Sequence, residues 1–246
     1  MLHQTVALFL RKYISLAALT CLIFVSAPDL EAQTSSAEAE QSGDYKDYNR
    51  YVFSTNSLGV KRESFVYNNF MVLTNSLTYG VTDNISVSAG LFPGFLFSIE
   101  TPVFIKPEIT FPIKSDLVSV SGGFYLFSTF ERAANSFGGI GFSKATLGNQ
   151  RYNTSLSLGF GFSSRAQFSG EPIVGLNAHL RYSRRFAFIT ENYFTLTSNE
   201  FKFYSIGQRY YPGRAAIDFL LIRFPGLSIS HGETLLTPGF GVSIPF

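Results

Sequence analysis

Residues 154–162 read Thr154-Ser155-Leu156-Ser157-Leu158-Gly159-Phe160-Gly161-Phe162, and this stretch decides the fold. Leucine and phenylalanine occupy every second position, and serine or glycine fills the positions between them. A period of two is typical of a β-strand that has one apolar and one small or polar face. Residues 85–92 and 118–126 repeat the pattern. The chain beyond residue 51 is therefore predicted to be all-β.

Twelve segments carry this pattern, and an even number suits an antiparallel sheet that closes on itself. The predicted strands are residues 51–57, 65–79, 84–92, 101–111, 116–127, 139–148, 153–162, 172–183, 186–195, 201–210, 214–222 and 237–246. The first of them has the least regular pattern, and the sequence also allows ten or fourteen strands.

Three features favour a membrane barrel over a soluble sandwich, in which the same alternation would occur. The segments are typically nine to eleven residues long, which is enough to cross hydrocarbon at a tilt. Glycine and serine crowd the other face, as on the inner wall of a small barrel. Aromatic residues gather at strand ends, as in interfacial girdles; they are Tyr51, Tyr79, Phe92, Phe127, Tyr152, Tyr182, Phe186, Phe194, Tyr210 and Tyr211. We predict an antiparallel up-and-down transmembrane β-barrel that spans residues 51–246.

The connections between the predicted strands alternate in length. Tight turns are predicted at residues 82–84, 114–116, 148–150, 184–185 and 211–213, and longer loops at 93–100, 128–137, 163–171 and 223–236. Only the connection at 197–200 is shorter than this alternation requires. In outer-membrane barrels the short turns face the periplasm and the long loops face outside.

The N-terminal residues have the features of an export signal. Met1–Ala32 carries the basic Arg11 and Lys12, then an apolar core over residues 14–26, and a small residue before Gln33. We predict a signal peptide that is cleaved after Ala32. The alternative is an uncleaved anchor, but the apolar core is too short to span a bilayer. The polar residues 33–50 have no period and are predicted to form a flexible periplasmic tail.

The last ten residues, Thr237 to Phe246, end in a phenylalanine after spaced apolar residues. This segment resembles the closing-strand signal of small Gram-negative outer-membrane β-barrel proteins. The resemblance implies a location in the cell outer membrane, contact with its lipid, and recognition by the barrel-assembly machinery. The residues that match the signal are Thr237, Gly239, Val242, Ile244 and Phe246.

Polar and charged residues alternate with the apolar face on several strands, so they are predicted to face the lumen. This lumen-facing polar cluster comprises Lys106, Glu108, Asn177, His179, Arg181, Glu191, Arg209 and Asp218. A charge that faced lipid at mid-depth would cost roughly 2 to 4 kcal/mol for Arg or Lys, which favours the inward assignment. The cluster has two interpretations: opposite charges that pair and rigidify the wall, or a selectivity ring for a small polar solute.

Other function classes find little support in the sequence. A net charge of +2 is too small and too scattered to indicate a nucleic-acid partner. The single cysteine, Cys21, lies in the predicted signal peptide, so no disulfide is expected in the mature chain. Two remaining histidines make a metal site unexpected, and no cofactor is predicted. Catalysis would need His179 or His231 as a base beside a nucleophile, and no such motif occurs.

The sequence therefore predicts an outer-membrane barrel that is either a narrow passive channel for small solutes or a closed structural or surface-contact protein. The alternative from another class is an outer-membrane enzyme that acts on lipid or glycan from the barrel rim.

Overall fold

The computed structural model describes residues 49–71, 74–92, 102–114, 117–129, 136–163, 171–196, 202–223 and 236–246. The predicted signal peptide and its cleavage site lie outside the described residues, as do residues 33–48 of the predicted tail.

Twelve antiparallel strands form a closed barrel in which each strand pairs with its neighbours in sequence and β1 pairs with β12. Their bounds are β1 Phe65–Phe70, β2 Thr74–Gly80, β3 Ile85–Leu91, β4 Pro102–Lys114, β5 Val118–Thr129, β6 Ser136–Gly148, β7 Tyr152–Ser163, β8 Pro172–Leu180, β9 Phe186–Thr195, β10 Lys202–Tyr210, β11 Ala216–Arg223 and β12 Thr237–Pro245. The predicted fold and the count of twelve are confirmed. Closure leaves no unpaired sheet edge, which is the condition for a sheet to reside in lipid.

Two of the predicted strands are wrong, and their errors cancel in the count. Residues 51–57 form no strand of the barrel, whereas the segment predicted as one strand over residues 65–79 is two strands, β1 and β2. β1 and β2 pair antiparallel to each other, and Met71, which follows β1, has a φ of 51°. The sequence gives no turn signal at this break, since residues 70–73 are all apolar and no glycine or proline occurs over 65–79.

The two ends of the barrel differ in their connections. At one end, here called the short-turn end, lie the links β2–β3, β4–β5, β6–β7, β8–β9 and β10–β11, together with Phe65 and Phe246. Two backbone hydrogen bonds between Phe65 and Phe246, of 3.1 and 2.9 Å, join the start of β1 to the end of the chain after β12. The opposite end, here called the long-loop end, carries the remaining links, of which β1–β2 is the shortest in sequence, with three residues between the strands.

The strands present apolar side chains outward and mostly polar side chains inward. Leu156 and Phe124 are 58% and 54% exposed on the outer surface, while Ser155 and Ser121 on the same strands are buried. The alternation seen in the sequence therefore separates an outer apolar belt from the lumen. No helix among the described residues is long and apolar enough to cross a membrane.

Candidate functional site in the barrel lumen

A hairpin from the N-terminal part of the chain lies inside the barrel; residues 49–57 are here called the inner hairpin. Arg50 and Thr55 form an isolated antiparallel bridge. The Tyr51 amide donates to the Ser54 carbonyl oxygen at 2.8 Å, which closes the tip. Tyr51 and Val52 are fully buried although neither belongs to the sheet. The prediction of a strand at residues 51–57 is therefore corrected to a hairpin that fills the lumen.

The tip of the inner hairpin is held by one carboxylate, that of Glu191 on β9. Its Oε2 accepts the backbone N–H groups of Val52 and Phe53, both at 2.6 Å, and its Oε1 accepts that of Ser54 at 2.9 Å. Tyr193 also donates its hydroxyl to Oε1, at 2.6 Å. Three consecutive backbone donors around a buried anion satisfy both the carboxylate and a turn that would otherwise leave its amides unpaired.

A second attachment joins the base of the inner hairpin to β10 and β11. Asp218 binds Arg209 through Nε at 2.6 Å and Arg50 through Nη2 at 2.9 Å. Arg209 also donates to the carbonyl oxygens of Arg50 and Tyr51, at 2.7 and 2.6 Å. Arg209 and Asp218 stand directly opposite each other in the β10–β11 register. Both residues belong to the predicted lumen-facing polar cluster, and Arg50 of the inner hairpin is the third member of this ion-paired group.

The opposite wall holds a triad of Lys106 and Glu108 on β4 and Lys144 on β6. Glu108 is 2.9 Å from the Lys106 Nζ and 3.1 Å from the Lys144 Nζ. Thr55 of the inner hairpin lies within this triad: its hydroxyl donates to Glu108 at 2.7 Å, and both lysines donate to its oxygen atoms. Paired charges of this kind tolerate burial because each has a partner and further hydrogen bonds.

Neutral hydrogen bonds from Tyr51 and Ser57 also hold the inner hairpin. The Tyr51 hydroxyl donates to Asn153 Oδ1 at 2.6 Å, on β7. The Ser57 amide donates to Thr146 at 2.9 Å, and its hydroxyl lies 2.9 Å from that of Ser121. The hairpin therefore touches β4 to β7 on one side and β9 to β11 on the other, and it occupies the lumen between them.

Burial shifts the pKa values of Arg50 and Tyr51 in the inner hairpin, but neither side chain changes its charge at neutral pH. Desolvation lowers the pKa of Arg50 to about 10, against the attraction of Asp218. Desolvation raises the pKa of the Tyr51 phenol above its usual value. Arg50 therefore stays cationic and Tyr51 stays a hydrogen-bond donor through the neutral range.

The structure brings seven of the eight predicted lumen residues inside the barrel. Lys106, Glu108, Asn177, His179, Glu191, Arg209 and Asp218 are all buried. Arg181 is the exception, because it follows β8 in the turn to β9 and donates to the carbonyl oxygens of Ser183 and Arg184. Its guanidinium lies 4.4 Å from the centre of the Tyr211 ring at the short-turn end.

His179 faces a phenol inside the barrel. Its Nε2 lies 2.9 Å from the Tyr211 hydroxyl, and Nδ1 is buried without a hydrogen-bond partner. No serine hydroxyl is among the contacts that the structure gives His179, and His231 lies outside the described residues. Within the described part of the chain, no group of three or more histidine, cysteine or acidic residues is placed to hold a metal ion.

The sequence interpretation missed the inner hairpin and Lys144. Lys144 could have been found, because it shares the inward face of β6 with Phe142 and Thr146. The position of the hairpin has no such signal, since Tyr51, Val52 and Phe53 are residue types that also favour strands. For the same reason Tyr51 was wrongly predicted in an aromatic girdle, and Tyr211 likewise points inward and is 2% exposed.

Comparisons with known proteins identify the fold only. No family model matches the sequence, and no curated protein sequence matches it either. The solved KdgM porin is 10% identical, with a TM-score of 0.53 over 74% of this chain and 99% of that chain. The KdgM porin in complex with disordered oligogalacturonate gives 10% identity and a TM-score of 0.52, over 74% and 98%. The outer membrane phospholipase A from Escherichia coli is 8% identical, with a TM-score of 0.47, over 76% and 93%. The predicted resemblance to outer-membrane barrels is confirmed at the level of the fold.

Proposed function

We propose that this chain is an outer-membrane channel for small solutes that its own inner hairpin holds closed. The observation that carries the proposal is the hairpin itself, which crosses the lumen of a complete barrel at the depth of Glu108 and Glu191 and is attached there by side-chain contacts. Displacing the hairpin would leave a twelve-stranded wall intact, because none of its residues belongs to a barrel strand.

The outer surface supports the placement in a membrane. Phe219, Leu156 and Phe124 are 54%, 58% and 54% exposed, and they belong to three different strands. A fully exposed Leu or Phe side chain costs about 1.5 to 3 kcal/mol in water relative to burial, so each of these half-exposed side chains would cost roughly half of that. Soluble proteins rarely expose contiguous apolar patches beyond a few hundred Å². A belt of this kind is stable where acyl chains cover it.

The inner surface supports passage of solutes more than a purely structural role. The wall carries three buried carboxylates, Glu108, Glu191 and Asp218, and each of them contacts the inner hairpin. A barrel that only had to be filled could use apolar side chains at lower desolvation cost. The two solved barrels with a TM-score above 0.5 that are described above are porins by name. The competing function is a permanently closed structural or surface-contact barrel.

We further propose that the chain reaches the membrane by export through residues 1–32, with cleavage after Ala32. The strand β12 would then be read by the barrel-assembly machinery through Thr237, Gly239, Val242, Ile244 and Phe246. What supports this second step is the position of β12, which closes the sheet by pairing with β11 and β1. The proposal assigns no chemical reaction to the barrel.

A reversible lock on the inner hairpin tests the channel. The Ser57 and Ser121 hydroxyl oxygens are 2.9 Å apart, so cysteines at both positions can reach disulfide distance with a small adjustment. The pair Ser57→Cys and Ser121→Cys is made with Cys21→Ser, which removes the native cysteine. Single-channel currents in planar bilayers are then recorded before and after reduction.

The matched control places a disulfide in the wall without touching the hairpin. The control variant is Thr78→Cys with Ser88→Cys. The hydroxyls of these two residues, on β2 and β3, are 2.8 Å apart and equally buried. We expect openings from the control in both redox states, and from the locked pair only after reduction. Steady currents through the oxidised lock would show that the hairpin does not close the pore. Silence of the reduced lock, the control and the unmodified protein would favour the closed structural barrel.

A further inference from the structure

The half of the lumen toward the long-loop end is lined by aromatic rings. Four of them are here called the aromatic wall: Phe104 on β4, Tyr125 and Phe127 on β5, and Phe142 on β6. The ring centroids of Phe104 and Phe142 each lie 5.8 Å from that of Tyr125, and Phe127 stacks beside Tyr125 at 6.3 Å. They form one continuous apolar surface across three adjacent strands.

The aromatic wall faces inward. Phe104 lies two residues from the buried Lys106, and Phe142 lies two residues from the buried Lys144, so each shares the inward face of its strand. The two ammonium groups confirm this direction, because Lys106 lies 5.4 Å from the Tyr125 ring centre and Lys144 lies 5.4 Å from that of Phe142. These lysines lie at the edge of the aromatic wall that is nearer the short-turn end, where both contact Thr55 of the inner hairpin.

The rings of the aromatic wall are half-buried rather than buried. Since the side chains point into the lumen, their remaining exposed surface opens into the lumen as well. The interior of a water-filled barrel is ordinarily polar. An apolar surface left open in that position is unfavourable against water and favourable against an apolar solute.

The packing of Phe53 in the inner hairpin shows that the lumen accommodates an aromatic ring. Phe53 at its tip packs edge-to-face against Phe70, with centroids 4.5 Å apart, and against Phe203, at 5.3 Å. Tyr193 extends the same packing from Phe203, at 6.1 Å. The side of the lumen across from the aromatic wall therefore binds a single aromatic ring by the edge-to-face geometry that such rings prefer.

Resting on the proposed channel function, we propose that the aromatic wall is a binding site for small uncharged solutes that carry an aromatic ring. The apolar ring faces favour an uncharged ligand, because a charged group placed against them would lose its hydration without gaining a partner there. A solute bound there lies on the long-loop side of the inner hairpin. The hairpin would have to move for the solute to pass through the barrel.

Indole is a direct probe, because the chain contains no tryptophan and indole can be excited at wavelengths beyond the absorption band of tyrosine. The protein is placed in lipid nanodiscs and indole is titrated. The test variant is Phe142→Ala. Its matched control is Phe124→Ala, which removes the same ring from the lipid-facing side of the adjacent strand, where Phe124 is 54% exposed. Both variants experience the same partitioning of indole into lipid.

We expect saturable indole binding to the unmodified protein and to Phe124→Ala, and binding to Phe142→Ala that is about two- to tenfold weaker, the range for losing one aromatic pair. Equal affinity of both variants, or only the linear uptake of an empty nanodisc, would overturn the site. This outcome is separable from the channel test: a barrel that opens on reduction yet binds no indole retains its function and loses only this assignment.

Discussion

Replacing Glu191 with glutamine should release the inner hairpin, because one carboxylate holds the whole tip. Oε2 receives the amides of Val52 and Phe53, and Oε1 receives that of Ser54. A glutamine can keep one oxygen toward the first two donors. Its amide nitrogen must then face the Ser54 N–H, where it accepts nothing.

The magnitude follows from these bonds. A hydrogen bond to a charged group contributes about 1.5 to 3 kcal/mol, and one to a neutral group about 0.5 to 1.5 kcal/mol. Glu191→Gln loses one bond to a charged group and weakens two others by about 1 to 1.5 kcal/mol each, so docking of the inner hairpin should weaken by roughly 3.5 to 6 kcal/mol. At about 1.4 kcal/mol for each factor of ten, the undocked fraction should rise by roughly two to four powers of ten.

Two measurements check this expectation in the same preparation. Single-channel recording gives the fraction of time that the channel is open. The variant Phe53→Cys, combined with Cys21→Ser, gives the rate at which a water-soluble maleimide modifies the tip of the inner hairpin. Both should rise sharply with Glu191→Gln. The control is Glu63→Gln, whose side chain is 71% exposed outside the hairpin contacts. Open time and modification rate that match those of the control would refute the assignment of Glu191 as the main attachment.

Three further predictions concern single residues. Asp218→Asn should lower the free energy of unfolding by about 3 to 5 kcal/mol, since it leaves Arg209 buried without its counter-charge; denaturant titration in lipid vesicles measures this, and a change below about 1 kcal/mol would contradict it. Gly80→Ala should impair barrel closure at the short-turn end, because a Cβ there would lie 2.1 Å from the Lys61 carbonyl oxygen; the heat-dependent shift in gel mobility reports folding, and an unchanged folded fraction would count against the contact. His179→Ala should not change the rate of membrane-lipid hydrolysis relative to the unmodified protein. A hydrolase activity that the unmodified protein has and this variant lacks would revive the enzyme alternative.

The sequence by itself determined that the chain forms a β-sheet and which face of each strand meets lipid. Alternation such as that of residues 154–162 sets which side chains meet lipid, because a strand has a period of two and the outer face of a membrane barrel must be apolar. The same alternation predicts that Glu191, Arg209 and Asp218 face the lumen. These inferences succeed because they depend on neighbours two positions away in the chain.

Only the tertiary structure decided what fills the barrel. The bonds from Glu191 to Val52 and from Asp218 to Arg50 join residues more than 130 positions apart, and no local pattern encodes such a meeting. Residues 51–57 have the composition of a strand, yet β1 and β2 already complete the closed sheet. With no edge left to pair with, the segment finds its hydrogen-bond partners among the side chains of the inner wall.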